Sequence, residues 1–260
     1  MSTVDRQPDG AEMNNRLQPR MILFDIDAMI VDPVPGGEDP SEQRPLLAII
    51  AHALAARDGI PYSHARAMVE TFADDLVWWD YPDFIAAFNL DPTLVWPAIR
   101  TWHRANLFVH DDAVACVEAL AEAGYPMAIV SNNPVVGCLL KLERAGLGTL
   151  GGTPHFSRLF GSNILRGQKS APAFWQRCLC HLDVPAMDLL MVGDHPHEDC
   201  EVPRSQGVGH FALINRSGAA GVTREGPVMQ LSDLRLLPGL LLAFNRSTVE
   251  GTGQRAPIHP

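Results

Sequence analysis

Two aspartates separated by one residue, Asp25 and Asp27, close the apolar run MILFDID near the start of the chain. Alternate residues of an extended strand point to the same side, so both carboxylates can face one site. Such a pair repels itself unless a cation lies between its members or one of them is protonated. A hard cation such as magnesium, which takes oxygen ligands and keeps several waters, suits that chemistry. Taken alone, the pair also fits two solvated aspartates in a turn. A second acidic group stands in LLMVGDHPHEDC, where Gly193 precedes Asp194, and Asp199 follows near the start of a helix. The missing side chain at Gly193 suits close approach to a metal. His195, His197 and Glu198 beside it allow a rival reading as a transition-metal cluster, because imidazole is a common zinc ligand. No other strand end offers such a cluster an obvious further ligand. In AIVSNNP, an apolar run ends in Ser131, Asn132 and Asn133, whose hydroxyl, amides and helix-terminal N–H groups could cradle an anion or simply cap a helix. In GQKSAP, Lys169 stands just before a helix, where an ammonium can neutralise a phosphoryl group or lie on the surface.

These residues need elements that bring them together. Short continuous apolar runs at 21–24, 126–130, 158–163, 188–192 and 210–214 predict strands buried on both faces. Helical patterns at 112–123, 135–145, 171–182 and 197–206 alternate with them, which predicts a parallel sheet with its ligand crevice at the carboxyl ends of the strands. From about 41 to 108 the pattern is helical throughout, with no convincing strand, and is read as an all-helical insert. Its aromatic group Trp78, Trp79, Tyr81 and Phe84 fits a substrate pocket or, at helical spacing, core packing. His52, His64, His103 and His110 could touch substrate, exposed helix positions being the plainer reading.

Composition sets the limits. The 260 residues, 47% hydrophobic and 19% charged, can bury a substantial core, and a net charge of -10 argues against a nucleic-acid partner. Five irregularly spaced cysteines suit reduced thiols, and the close pair Cys178 and Cys180 lacks the second pair of a metal site. The polar first twenty residues do not resemble a secretory signal, and no apolar run is long enough to span a bilayer. The expectation is a soluble cytoplasmic protein with no membrane partner; the sequence sets no oligomeric state. Residues 1–20 and 246–260 are expected to be a flexible arm and tail.

In their order and separation, ILFDIDAMI, AIVSN, Lys169 within GQKSAP, and MVGDHPHED resemble the four motifs of the haloacid dehalogenase-like superfamily. The resemblance extends over about 21–216 and includes CEVPRSQG and GHFALINR, which are similar to the helix and last strand that follow the fourth motif. It implies a Rossmann-like α/β fold, a parallel sheet sandwiched by helices, with a core of residues 21–37 and 109–245 and a helical cap of 38–108. By the same resemblance, Asp25 would attack phosphorus, and Asp27 would protonate the leaving group and then activate water. Ser131, Asn132 and Lys169 would bind the phosphoryl group of a small phosphorylated metabolite. Mg2+ would be held by Asp25, Asp194 and the backbone carbonyl of Asp27, and Asp199 would orient Lys169 or a metal-bound water. The acid at position 27 favours phosphate chemistry over dehalogenation.

Two positions depart from the family pattern. Ala28 and Met29 stand where relatives mostly carry Gly and Thr, and a thioether cannot donate the hydrogen bond that fixes the acid/base aspartate, so reduced turnover is one expectation. Ala28 is a mild change if its φ is negative. A phosphomutase, which shares these residues, and a catalytically weak binding or regulatory protein are the alternatives to a phosphatase.

Overall fold

The structure is a computed structural model describing residues 19–35 and 44–242; the arm and tail expected at the termini lie almost wholly outside them. Five of its strands form a parallel sheet in the order β5-β4-β1-β6-β7: β1 (Met21–Phe24), β4 (Met127–Val130), β5 (Arg158–Phe160), β6 (Leu189–Gly193) and β7 (His210–Ile214). All residues of β1, β4 and β6 are buried, as their unbroken apolar composition predicts for strands covered on both faces. Alternation along β1 sends Ile22 and Phe24 into a core shared with α5 (Asp111–Glu122) and α6 (Val135–Arg144). Met21 and Leu23 enter a second core with Phe174, Trp175 and Cys178 of α8 (Pro172–Cys180) and Val202 of α9 (Val202–Ser205). At roughly 1.5–3 kcal/mol for each fully buried large apolar side chain, these two layers hold the strand ends in place.

Several short elements escaped the sequence reading. The run expected at 158–163 leaves the sheet at Phe160, and Ser162–Leu165 form the helical turn α7. A hairpin, β8 (Val222–Glu225) and β9 (Val228–Leu231), extends the sheet beyond β7, with β9 parallel to β7 and β8 antiparallel at the edge. All four residues of β8 are exposed, so VTRE carries no hydrophobic signal, and pairing with β9 alone makes it a strand.

The stretch between the first two aspartates and the rest of the sheet folds into α1 (Arg44–Asp58), α2 (Tyr62–Leu76), α3 (Tyr81–Ala87) and α4 (Pro92–Asn106) around a core that also takes in Leu140 of α6. Contrary to the all-helical reading, the stretch ends in a strand. β2 (Val31–Pro33) and β3 (Leu107–Val109) pair antiparallel, so a two-stranded stem carries the helices, and His110 Nε2 bonds Asp32 Oδ2 at 2.7 Å beside it. Three residues are too few to show a period of two. Trp79, Tyr81 and Phe84 pack edge-to-face within this core, Trp79 and Phe84 with centroids 4.8 Å apart, which gives these three a packing role, while Trp78 is half-buried and not part of that core.

Two contacts press the helices onto α6. Asp80 is the N-cap of α3 in a reciprocal capping box with Asp83, and its Oδ2 accepts from Val136 N at 2.8 Å and from Asn163 Nδ2 at 3.2 Å. Arg100 of α4 bonds Glu143 of α6 at 2.8 Å.

Candidate active site

The four motif segments end at the same edge of the sheet. β1 stops at Phe24, and Asp25 continues its register, donating its backbone N–H to Val192 O at 2.9 Å; Ile26 turns into the core beneath. Asp25, Asp194 and Asp199 each offer an oxygen within 4.8 Å of the others; among the described residues no other three His, Cys, Asp or Glu are grouped so. The histidine cluster is therefore not assembled: His197 bonds Glu201 at 2.8 Å, and Glu198 accepts from Asn132 at 2.8 Å.

Lys169, read as a residue just before a helix, is buried there, 2% exposed. Its Nζ lies 2.7 Å from Asp25 Oδ2 and 2.7 Å from Asp199 Oδ1. The backbone around it is held as firmly: Lys169 N donates to Asn132 Oδ1 at 2.7 Å, and Trp175 Nε1 donates to Lys169 O at 2.9 Å. Asp199 uses its other oxygen to accept from Asp194 N at 3.2 Å and His195 N at 3.0 Å, fixing the loop that carries Asp194. The space at Gly193 serves this contact rather than a metal, since a Cβ there would lie 2.3 Å from Asp199 Oδ2.

Charge in this cluster is unbalanced. Burial, reinforced by Asp199 and Asp27, pushes the Asp25 carboxyl up to about 8 against the pull of Lys169, and burial and Asp199 lift Asp194 to about 6. Lys169 is itself raised, because Asp25 and Asp199 outweigh the cost of burying its charge. Three carboxylates around one ammonium call for a further positive charge, and an all-oxygen donor set fits a hard divalent cation such as magnesium.

Asp27 takes a different direction from its neighbour. Its carboxylate is not part of the three-acid group; Oδ1 meets Lys141 Nζ at 2.5 Å and Oδ2 accepts from Asn133 Nδ2. Burial would raise this carboxyl, but the Lys141 ammonium and the two hydrogen bonds hold it below its ordinary value. Asn133 in turn accepts from Lys141 at 2.9 Å through Oδ1 and donates to Ser131 Oγ at 2.9 Å. Neither Lys141 nor this use of Asn133 was visible in the sequence, where Lys141 reads as one of three charged residues, with Glu143 and Arg144, in the last turn of the helix.

Met29 is wholly buried in the core, so its side chain belongs to packing. Ala28 adopts φ 53°, the left-handed region that favours glycine, which overturns the reading of this change as mild. The strained turn is stapled from below: Arg216 donates to Ala28 O at 2.9 Å and to Met29 O at 2.8 Å while pairing with Asp112 at 3.0 Å. Of the four histidines singled out, His52 and His64 are exposed and His110 is half-buried on Asp32. His103 is 2% exposed, with Nδ1 on Ile99 O at 2.9 Å, against the reading of an exposed helix position. All five cysteines are free thiols, and no described helix is long and apolar enough to cross a membrane.

An open, mostly parallel sheet with helices on both faces and acids gathered at its carboxyl edge defines an α/β fold of the Rossmann-like class. The sequence profile of the haloacid dehalogenase-like hydrolases matches residues 19–207, and the chain belongs to that family. Phosphoglycolate phosphatase of Pseudomonas savastanoi pv. phaseolicola is 26% identical over 234 residues, 86% of this chain and 80% of the relative. The phosphoglycolate phosphatase of Rhodospirillum rubrum is 26% identical over 231 residues, 83% of this chain and 86% of its own length. Among solved structures, a HAD phosphatase from Thermococcus onnurineus superposes with a TM-score of 0.51 at 25% identity, covering 85% of this chain and 97% of its own. A 2-haloacid dehalogenase from Pseudomonas syringae pv. tomato shares the fold at a TM-score of 0.52 and 20% identity, over 86% and 98% of the two chains.

Proposed function

We propose that this hydrolase is a magnesium-dependent phosphatase that cleaves a small phosphorylated metabolite through an aspartyl-phosphate on Asp25. The observation that carries the reading is the Lys169 ammonium lying 2.7 Å from both Asp25 and Asp199, with Asp194 in the same group. Asp25 and Asp194 would hold the cation with the backbone carbonyl of Asp27. When bound, magnesium screens the charge between a carboxylate nucleophile and a phosphoryl group. An Asp25 oxygen forms the new bond to phosphorus while Ser131, Asn132 and Lys169 take the phosphoryl oxygens. Asp27 gives a proton to the departing alkoxide, and as a carboxylate it then takes one from the water that splits the aspartyl-phosphate. Asp199 keeps Lys169 in place.

The four helices between the β2–β3 stem are proposed to act as a cap, residues 38–108, over a core of 21–37 and 109–245, in a cytoplasmic protein. Asp27 favours phosphate over halide chemistry, since a halide leaves without a proton. Reduced turnover on account of Met29 stays part of the reading to be tested, with Asn133 and Lys141 as the groups that bond Asp27. The relatives make 2-phosphoglycolate the first ester to try.

The test is a panel of phosphorylated metabolites with magnesium, with the Asp25→Asn variant as control. Release of phosphate by the parent and its loss by at least about 1000-fold in the variant is the expected outcome, as for removal of a covalent nucleophile. Interconversion of sugar phosphates would mark a mutase, and silence on every ester a binding protein.

A further inference from the structure

Lys141 lies on the inner face of α6 among Cys138, Leu139, Leu140 and Leu142 and is 2% exposed. Burying an ammonium costs several kcal/mol unless it is paired, and apolar side chains of like size often serve stability as well or better. Packing alone therefore does not account for a lysine here. Its partners are Asp27 Oδ1 at 2.5 Å and Asn133 Oδ1 at 2.9 Å. Asn133 uses its amide nitrogen on the other oxygen of the same carboxylate and on Ser131 Oγ. Only one orientation of that amide satisfies all three neighbours, with oxygen toward the ammonium and nitrogen toward the carboxylate. Each oxygen of Asp27 thus has its own donor, and the rotation of the carboxylate is set by Lys141 on α6, 114 residues away in sequence, and by Asn133 in the turn that leads into that helix. Nothing on its own strand does this, since the side chain two residues on is Met29, wholly buried in the core.

We propose that Lys141 is a positioning residue for Asp27, which with Asn133 grips the acid/base carboxylate from α6 and aims it at the leaving oxygen and the incoming water. The proposal rests on the phosphatase reading, in which Asp27 moves those protons. No bond to substrate is assigned to Lys141.

Steady-state kinetics with magnesium on 2-phosphoglycolate and on p-nitrophenyl phosphate test it. Lys141→Met keeps the volume and removes the donor. It should lower kcat on the alkyl ester about 10–100-fold with KM within about 3-fold, within the range for displaced general acid–base groups. The loss should be smaller on the aryl ester, whose leaving group needs little protonation. In an Asp27→Asn background the same change should cost less than about 3-fold more, because both act through one carboxylate. Asn133→Ala should repeat this pattern, and Lys141→Arg should retain more activity than Lys141→Met. A crystal structure of Lys141→Met should show the Asp27 carboxylate rotated away from Asn133. Losses that multiply in the double variant, or an unmoved Asp27 with unchanged kcat, overturn the proposal. A parent inert on every ester whose Lys141→Met variant still releases Asp27 sinks the phosphatase reading and leaves the grip standing; an active parent indifferent to Lys141 sinks only the grip.

Discussion

Asp25 and Asp27 are two residues apart and have opposite electrostatic surroundings. Asp25 is raised by burial and by the acids beside it; Asp27 is lowered, because Lys141 and its hydrogen bonds outweigh burial. Gly193 shows how little room the arrangement leaves. Gly193→Ala would set a methyl group 2.3 Å from Asp199 Oδ2, so Asp199 must withdraw from Lys169 and from the amides of Asp194 and His195. The expected result is a loss of about 1–3 kcal/mol in urea unfolding, the usual cost of forcing extra volume into a packed site. A fall of at least about 10-fold in kcat should accompany it, and a variant as stable and active as the parent would show that Asp199 has no fixed place.

At the scale of elements, α6 is the hub. Its N-terminal turn receives Asp80 from α3, its inner face carries Lys141 to Asp27, and Glu143 receives Arg100 from α4. Asp80 makes one of these contacts sensitive to pH. Burial raises its carboxyl to about 6, against the pull of the Val136 and Tyr81 amides. A carboxyl whose folded value lies above its ordinary 3.8 binds its proton more tightly in the folded protein, so its contribution is fully present below 3.8 and is lost as pH rises through 6. The Tm of the parent minus that of Asp80→Asn should therefore fall between pH 4 and pH 7. A difference that is flat or rises over that window would show that the amide donors outweigh burial.

For the molecule as a whole, Asp25, Asp194 and Asp199 brought within 4.8 Å of one another, with Lys169 paired to two of them, leave more acidic groups than cations at the edge of the sheet. A divalent cation bound there stabilises only the folded form. Magnesium at roughly 10–100 times its Kd should add about 1.4–2.7 kcal/mol, read as a rise in Tm by scanning calorimetry. Asp194→Asn should remove most of that rise, and an equal rise in parent and variant would place the cation elsewhere.

Much of this was legible along the chain. The strands β1, β4, β6 and β7 announce themselves because burial on both faces demands unbroken apolar runs, and their ends carry Asp25, Ser131 and Asp194 because an open parallel sheet exposes its reactive edge there. What the residues alone determine is therefore the class of fold and the set of groups at the edge. Local pattern says nothing of β2, β3 and β8, whose few residues become strands through their partners. Nor does it foresee the left-handed turn at Ala28, held by Arg216 from the far end of the chain. The grip of Lys141 on Asp27 belongs to the same kind. A side chain's periodicity tells which face it takes, whereas its charge partner depends on which strand end the packed helix faces, and only the tertiary structure decides that.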